Sequence, residues 1–311
     1  MNDIDSKRIR TVLEAENDEV QHLLSVGDAV ALGLFRCPIE HPRFEAGHVS
    51  FDHVVFPRGQ LKLYREAGVE ISTPARANVY HAYEQYSREP ISREGDEVDW
   101  IAISRDYLVE IVDSIAPQLL DKYGGERIFP SASIPISDGL LLAARVLFAR
   151  LERGEYIDPI ALDAYVGELL ERLFVDARIG AYAEFKPLKA SVQARHRRAV
   201  ATACEFIAAH FVGSLSLGDI ASAAGLSRSA LYAAFQRETG FSAGEYVERL
   251  RMQTAMKWIE KGEVPFAEIA TRLGYSSHSH FSARFRSHFQ TTPRHYRELR
   301  LAPIPDIKAF G

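Results

Sequence analysis

At 311 residues the chain is too long for one compact core and about right for two ordinary domains. Hydrophobic residues at 47% and charged residues at 25% exclude a fibrous, low-complexity or largely disordered protein. The net charge of -5 conceals an uneven distribution: residues 185–300 hold 17 Lys and Arg against 9 Asp and Glu, so this segment is basic and the remainder strongly acidic. A basic segment joined to an acidic one is the footprint of a polyanion-binding module attached to something else, the alternative being a solvated surface that happens to be basic. The polar N-terminus has no apolar signal core and no run of about 18 apolar residues occurs, so a cytoplasmic protein without membrane partners is expected. Cys37 and Cys204 lie in different halves, which argues for free thiols in a reducing compartment.

In chain order, residues 6–25 read as a short amphipathic helix. Short apolar runs at 29–36, 48–56, 60–66, 77–83, 86–91 and 97–104 predict strands, separated by turn signals such as Pro57-Arg58-Gly59, Glu66-Ala67-Gly68 and Glu94-Gly95-Asp96. Strands so short and so close suggest a small barrel or sandwich over about 29–104. A helix at 107–115 leads to a loop near Tyr123-Gly124-Gly125. Two amphipathic helices follow at 137–153 and 158–178, a helical hairpin with Ser137 and Asp158 as N-caps. In the second, Ile160, Tyr165, Leu169, Leu170, Leu173 and Phe174 recur at helical spacing and form a stripe that must be buried. It packs on the strands, or Tyr165, Leu169, Leu170 and Leu173 meet their copies in a second subunit. Residues 179–195, with Gly180, Pro187 and several charges, read as an interdomain linker.

From His196 the chain is helical nearly throughout and contains two helix-turn-helix units. In the first, residues 217–224 form a short helix, Gly225-Leu226 the turn, and Ser227 caps a helix over 228–239 with Leu231 and Phe235 inward. In the second, residues 266–273, Gly274-Tyr275 and 277–289 repeat the scheme, with Phe281, Phe285 and Phe289 inward. A long helix over 244–261 connects them.

These residues carry a resemblance. Leu231 and Phe235, Gly240-Phe241-Ser242, Tyr246 with Arg251 and Ala255, Ile269-Ala270, Gly274-Tyr275, Phe281, Phe285, Thr292-Pro293 and Tyr296-Arg297 stand in an order and at intervals that resemble the AraC/XylS family of transcription regulators. The resemblance covers about residues 196–300, with 301–311 as a tail. It implies two recognition helices entering successive major-groove segments on one face of double-stranded DNA. It also implies an α+β chain of two domains: residues 1–178 as an effector-sensing and dimerising domain with a cupin-like barrel, followed by the all-α DNA-binding domain. A homodimer that recruits RNA polymerase and activates transcription is implied in the same way.

Carried over position by position, the first recognition helix offers Ser229, Tyr232 and Ala233 to base edges, with Arg228 near phosphate. The second offers His278, Ser279, His280, Ser282 and Ala283, with Arg284 and Arg286 close by. Here the chain departs from the family, which commonly has Arg where Ala283 stands. One residue is about 100° around a helix, so Arg284 is expected at phosphate rather than at a base. Arg294 and Arg297 are expected phosphate contacts, and Arg251 an internal support pairing with carbonyls or a carboxylate. Gly is usual where Gln290 stands, and Pro where Ala243 stands. Tyr232 can also be read as a surface aromatic, and His278 and His280 as capping or solvated side chains.

In the first half, Cys37, His41, His48 and His53 have metal-ligand chemistry, and Cys37 with His41 suggests a metal- or thiol-responsive regulator. His48 and His53 are five apart in one predicted strand and so point to opposite faces, which favours ordinary barrel and loop residues and no cofactor. The preferred signal is a small organic molecule within the barrel, against Phe35, Phe51, Tyr64, Tyr80, Tyr83, Tyr86 and Trp100, unless these aromatics are simply core. A cupin-type enzyme with an accessory DNA-binding domain is a remote alternative: no Gly-rich phosphate loop, HExxH or GxSxG motif is present, and a non-enzyme is expected.

Overall fold

The structure, a computed structural model, describes residues 3–66, 68–91, 95–123, 128–129, 131–181, 190–262 and 264–299. About half of the expected linker (182–189), the tail (301–311), the Gly124-Gly125 loop, and Ala67 and Glu94 of two expected turns lie outside them. The chain divides into two compact units at Gly180/Ala181. Among the described residues, no helix is long and apolar enough to cross a membrane.

The first unit opens with α1 (Asp3–Glu16) and β1 (Gln21–Val26). The helix expected over 6–25 therefore ends early, because the next two side chains compete for backbone donors. Asp18 Oδ1 accepts from Val20 and Gln21 N–H at 2.9 and 2.8 Å, and Asn17 Oδ1 accepts from Leu23 N–H at 2.9 Å. The strands continue as β2 (Val30–Cys37), β3 (Ala46–His48), β4 (Asp52–Pro57), β5 (Leu61–Arg65), β6 (Gly68–Ser72), β7 (Arg76–Tyr80), β8 (Gln85–Pro90) and β9 (Asp96–Ile103). After α2 (Arg105–Ile115) and α3 (Pro117–Tyr123) come β10 (Ser133–Pro135), α4 (Asp138–Leu151) and α5 (Pro159–Ala181). Strands β1, β6 and β10 and helix α3 were not expected from the sequence.

All pairings are antiparallel, in a six-stranded sheet of order β1-β2-β9-β4-β7-β10 and a four-stranded sheet of order β3-β8-β5-β6. The expected barrel is corrected to this pair of sheets, since among the described residues neither closes on itself. The strand expected over 48–56 is also two strands: β3 pairs with β8 in one sheet and β4 with β7 and β9 in the other. Alternate residues Ala31, Phe35 and Cys37 of β2 join Val55, Leu61, Leu63, Val98 and Trp100 in one core cluster, which α1 completes with Ile9 and Leu13. The intervening residues Val30, Leu32 and Leu34 are buried too, which is why β2 reads as a continuous apolar run.

Helix α4 is tied to the six-stranded sheet by buried polar contacts. Arg145 Nη1 donates to Asp99 Oδ2 of β9 at 2.5 Å, and Arg145 Nη2 to the Pro57 carbonyl at 3.2 Å. Ser137 and Asp158 cap α4 and α5 as expected, accepting from Leu140 N–H at 3.3 Å and from Ile160 N–H at 3.0 Å. The apolar stripe of α5 is turned inward. Leu169, Leu170, Leu173 and Phe174 are at most 2% exposed within their own chain, Tyr165 is half-buried, and Ile160 is 72% exposed. The expected seam through Leu169, Leu170 and Leu173 is therefore corrected, because exposing these side chains to a second subunit would empty the core of the first unit.

The second unit comprises α6 (Ala190–His210), α7 (Leu217–Ala223), α8 (Arg228–Thr239), α9 (Ala243–Lys261), α10 (Phe266–Arg272), α11 (His278–Phe289) and α12 (Pro293–Leu299). Its apolar faces meet around α9. At one end Tyr246 packs edge-on to Phe235 of α8, with ring centroids 5.5 Å apart. Towards the other, Phe281, Phe285, Phe289 and Tyr296 are buried in an aromatic row.

Candidate nucleic-acid interface and ligand cavity

Two pieces of the second unit are built alike. In α7–α8, Ser216 and Asp219 form a reciprocal capping box, Gly225 turns the chain at φ 63°, and Leu226 N–H donates to the Ala221 carbonyl at 2.9 Å. Ser227 Oγ then accepts from Ala230 N–H at 3.2 Å and starts α8. In α10–α11, Gly274 turns at φ 77°, Tyr275 N–H donates to the Ala270 carbonyl at 2.9 Å, and Ser277 Oγ accepts from His280 N–H at 3.0 Å. A short helix, a left-handed turn and a hydroxyl cap thus set each second helix at a fixed angle to the first.

The two turns differ in room. A Cβ on Gly225 would meet nothing within 4 Å, whereas one on Gly274 would stand 2.6 Å from the Gly213 carbonyl oxygen. Arg251 fixes that same segment, donating from Nε to the Phe211 carbonyl at 2.9 Å and from Nη2 to the Gly213 carbonyl. Gly225→Ala is expected to cost about 1–2 kcal/mol from the left-handed backbone alone. Gly274→Ala should cost at least about 1 kcal/mol more, since backbone must move as well. Urea unfolding followed by Trp258 fluorescence checks the order of the two.

With the inward faces fixed, the outward ones follow. On α8, Arg228, Ser229, Tyr232 and Ala233 are exposed, Tyr232 at 59%. Gln236 stands one turn beyond Tyr232 and Ala233 on the same side and is half-buried. It was missed at the sequence level, though its i+3 spacing from Ala233 was the available signal, and Gln is the side chain that reads adenine bidentately. On α11, His278, Ser279, His280, Ala283, Arg284 and Arg286 are exposed and Ser282 is half-buried. His280 is oriented by Ser276 Oγ at 3.0 Å from Nδ1 and by the edge of Tyr275, and His278 stacks on Phe266.

The arginines divide. Arg286 and Arg294 are exposed, Arg294 in an i,i+4 pair with Glu298. Arg297, an expected phosphate contact, is half-buried with its guanidinium 4.2 Å from the Phe266 ring centroid, where it supports α10. Arg284 Nε donates to Glu248 Oε1 of α9 at 2.8 Å, where the sequence suggested a phosphate contact.

Between the sheets of the first unit lies a cavity of about 270 Å³, lined by Phe35, Tyr80, Tyr86, Trp100, His48 and His53 among others. Placement of His48 and His53 on β3 and β4 brings both imidazoles to it, which corrects the expectation that they face apart. Gly33 makes room for the indole of Trp100, its partner across β2 and β9: a Cβ there would stand 2.1 Å from Cζ2 of Trp100. Trp100 Nε1 and Asn78 Oδ1, both in lining residues, are buried with no hydrogen-bond partner, which suits a ligand bringing an acceptor and a donor. Arg88, also lining it, is 2.6 Å from Asp96 in a buried ion pair.

Three expected aromatics are elsewhere. Tyr64 alternates outward from Leu63 on β5 and its hydroxyl donates to Glu89 at the surface. Phe51 and Tyr83 line a neighbouring hollow with Arg8, Asp52 and His81, and Tyr83 is 69% exposed. Nothing among the described residues favours the metal- or thiol-responsive alternative. Among the described residues no group of three or more His, Cys, Asp or Glu is placed to hold a metal ion, and His41 Nε2 is engaged with Glu19 at 2.9 Å. Burial pushes the Cys37 thiol up, the opposite of an activated sensor thiol.

Tandem turn-capped helix pairs around one central helix define the second unit as a double helix-turn-helix module. Residues 220–299 match the family described as a helix-turn-helix domain. The probable transcription factor PqrA of Proteus vulgaris is 32% identical over 96 residues, 31% of this chain and 77% of that protein. The Msm operon regulatory protein of Streptococcus mutans is 33% identical over 94 residues, 30% of this chain and 34% of its own length. The HTH-type transcriptional activator RhaS of Escherichia coli is 32% identical over 91 residues, 29% of this chain and 33% of its own. The aligned part thus spans about a third of the last two relatives. The chain belongs to the AraC/XylS family of helix-turn-helix transcription regulators.

Proposed function

We propose that this chain is a sequence-specific DNA-binding regulator, acting as a homodimer, that activates transcription through RNA polymerase in response to a small molecule held in the cavity between its sheets. The observation that carries the DNA-binding part is the repeated turn-and-cap geometry, which leaves Ser229, Tyr232 and Ala233 on α8, and Ser279, His280 and Ala283 on α11, exposed while their opposite faces are core. Arg228, Arg286 and Arg294 supply phosphate contacts, which hold the module in register without reading sequence. RhaS is named a transcriptional activator, which favours activation here.

The cavity supports the sensing part. Its aromatic wall and unpartnered Trp100 and Asn78 atoms suit a compact ligand with an apolar body and polar tips. Glu16, at the end of α1, lines the same cavity while Ile9 and Leu13 are buried in the core beside it. A ligand therefore acts by repositioning residues 1–28, the linker or the α4–α5 hairpin. The dimer follows from avidity, since two tethered modules bind paired half-sites far better than one. With Leu169, Leu170 and Leu173 committed to the core, Ile160 and Val175 are, among the described residues of α5, the large apolar side chains left exposed for a seam.

Competition binding tests the reading. The full chain should hold the genomic fragments it selects at least about 1,000-fold more tightly than random duplex at the same salt. Equal affinity for both would refute a sequence-specific regulator and leave at most a general polyanion binder.

A further inference from the structure

Of the two arginines on the second recognition helix, Arg284 stands off the middle of its solvent face. Ala283 is at the middle of the solvent face of α11, opposite Phe281 and Phe285, and Arg284 is about 100° further round, on the flank next to α9. There Arg284 Nε donates to Glu248 Oε1 at 2.8 Å. The carboxylate side chain is only 16% exposed, so the pair is partly desolvated and separating it would strand a half-buried charge. Arg251 is committed to the Phe211 and Gly213 carbonyls, which leaves Arg284, with His288 Nε2 at 3.8 Å, to balance Glu248. An arginine already matched by a carboxylate in its own chain has little counterion to release when a phosphate approaches.

We propose that Glu248 is a positioning residue of the second helix-turn-helix: it holds Arg284 against α9 and so withdraws that cation from DNA, leaving the groove to Ser279, His280 and Ala283. The inference rests on the DNA-binding reading above. Its consequence is that the centre of α11 meets DNA with short side chains and that Arg286 is the arginine this helix brings to phosphate, so that this half of the module depends more on close fit than on electrostatic attraction. Glu248 touches no DNA in this account and acts through Arg284.

The test is the salt dependence of binding, measured with the full chain and a random-sequence duplex from about 50 to about 200 mM salt, where each phosphate neutralised contributes about 0.9 to the slope of log K against log salt. Arg284→Ala should leave the slope at the wild-type value. Glu248→Gln, of the same shape, should free Arg284, steepen the slope by about 0.9 and tighten binding several-fold at the low-salt end. The double variant should return to the wild-type slope, a reversal that a merely structural role for Glu248 would not produce. A slope lowered by about 0.9 in Arg284→Ala would show that Arg284 already meets a phosphate, and an unchanged slope in a folded Glu248→Gln protein would equally overturn the proposal. Should Glu248→Gln fail to fold, Arg284→Ala alone decides. A wild-type chain with no salt-dependent DNA binding would instead strike the underlying DNA-binding reading.

Discussion

Replacing Asp99 by Ala is expected to destabilise the first unit by about 3–5 kcal/mol, the usual cost of leaving a buried charge without its partner. Asp99 is fully buried on β9 and its two oxygens serve two different guanidinium groups, Arg58 Nε at 2.8 Å and Arg145 Nη1 at 2.5 Å. Arg58 keeps Glu152 at 2.9 Å when Asp99 is removed. Arg145 does not: its side chain is 5% exposed and retains the Pro57 carbonyl at 3.2 Å. The damage should therefore be concentrated at the α4–sheet interface. Because the penalty comes from a stranded cation rather than from lost packing, Asp99→Ala combined with Arg145→Met should recover most of it, since a buried ion pair replaced by apolar groups is often neutral. Urea unfolding read through Trp100, one residue along β9, in a Trp258→Phe background isolates this unit. An Asp99→Ala protein as stable as the parent would contradict the buried network.

The second large effect is on recognition. Tyr232→Ala and His280→Ala together are expected to lower operator affinity by about 100-fold or more, each lost base-edge interaction being worth about 1–3 kcal/mol. Stability should change by less than about 0.5 kcal/mol per site, as for other exposed side chains. Tyr232 is 59% exposed, and the contacts of His280 with Ser276 and Tyr275 orient it without burying it. Non-specific affinity should fall far less, because phosphate contacts from Arg228, Arg286 and Arg294 remain. Anisotropy titrations on operator and random duplexes, with melting curves alongside, separate these quantities; equal losses on both duplexes would place the two residues at the backbone instead.

What could be read from the sequence follows the range of the interactions involved. The helix-turn-helix pieces are local: a glycine, a serine cap two or three residues on and large apolar side chains four apart fix the turn and the inward face, so Gly225, Ser227, Gly274 and Ser277 are legible. The sheets are not. β1 was absorbed into a helix because its Leu23-Leu24 pair continues a helical pattern, and the break depends on the turn at Asn17-Asp18. His48 and His53 were assigned opposite faces on the premise of a single strand, and the premise failed when Val49, Ser50 and Phe51 carried the chain from one sheet to the other. Tyr64 was lost from the cavity by one residue of register. Ion pairs across distant sequence, Arg145 with Asp99 and Arg284 with Glu248, leave no periodic trace, and the second of these changes the role of an arginine that motif comparison alone would place on DNA.

As a sequence reader, the second unit should apply α8 and α11 each to a separate stretch of one DNA face. In-vitro selection of preferred duplexes from a random pool, with the wild-type chain, Tyr232→Ala and His280→Ala, tests it most directly. Two preferred blocks are expected about one helical turn, roughly 10 base pairs, apart, with Tyr232→Ala eroding one and His280→Ala the other. A single block, or variants that both recover the wild-type sequence unchanged, would contradict it.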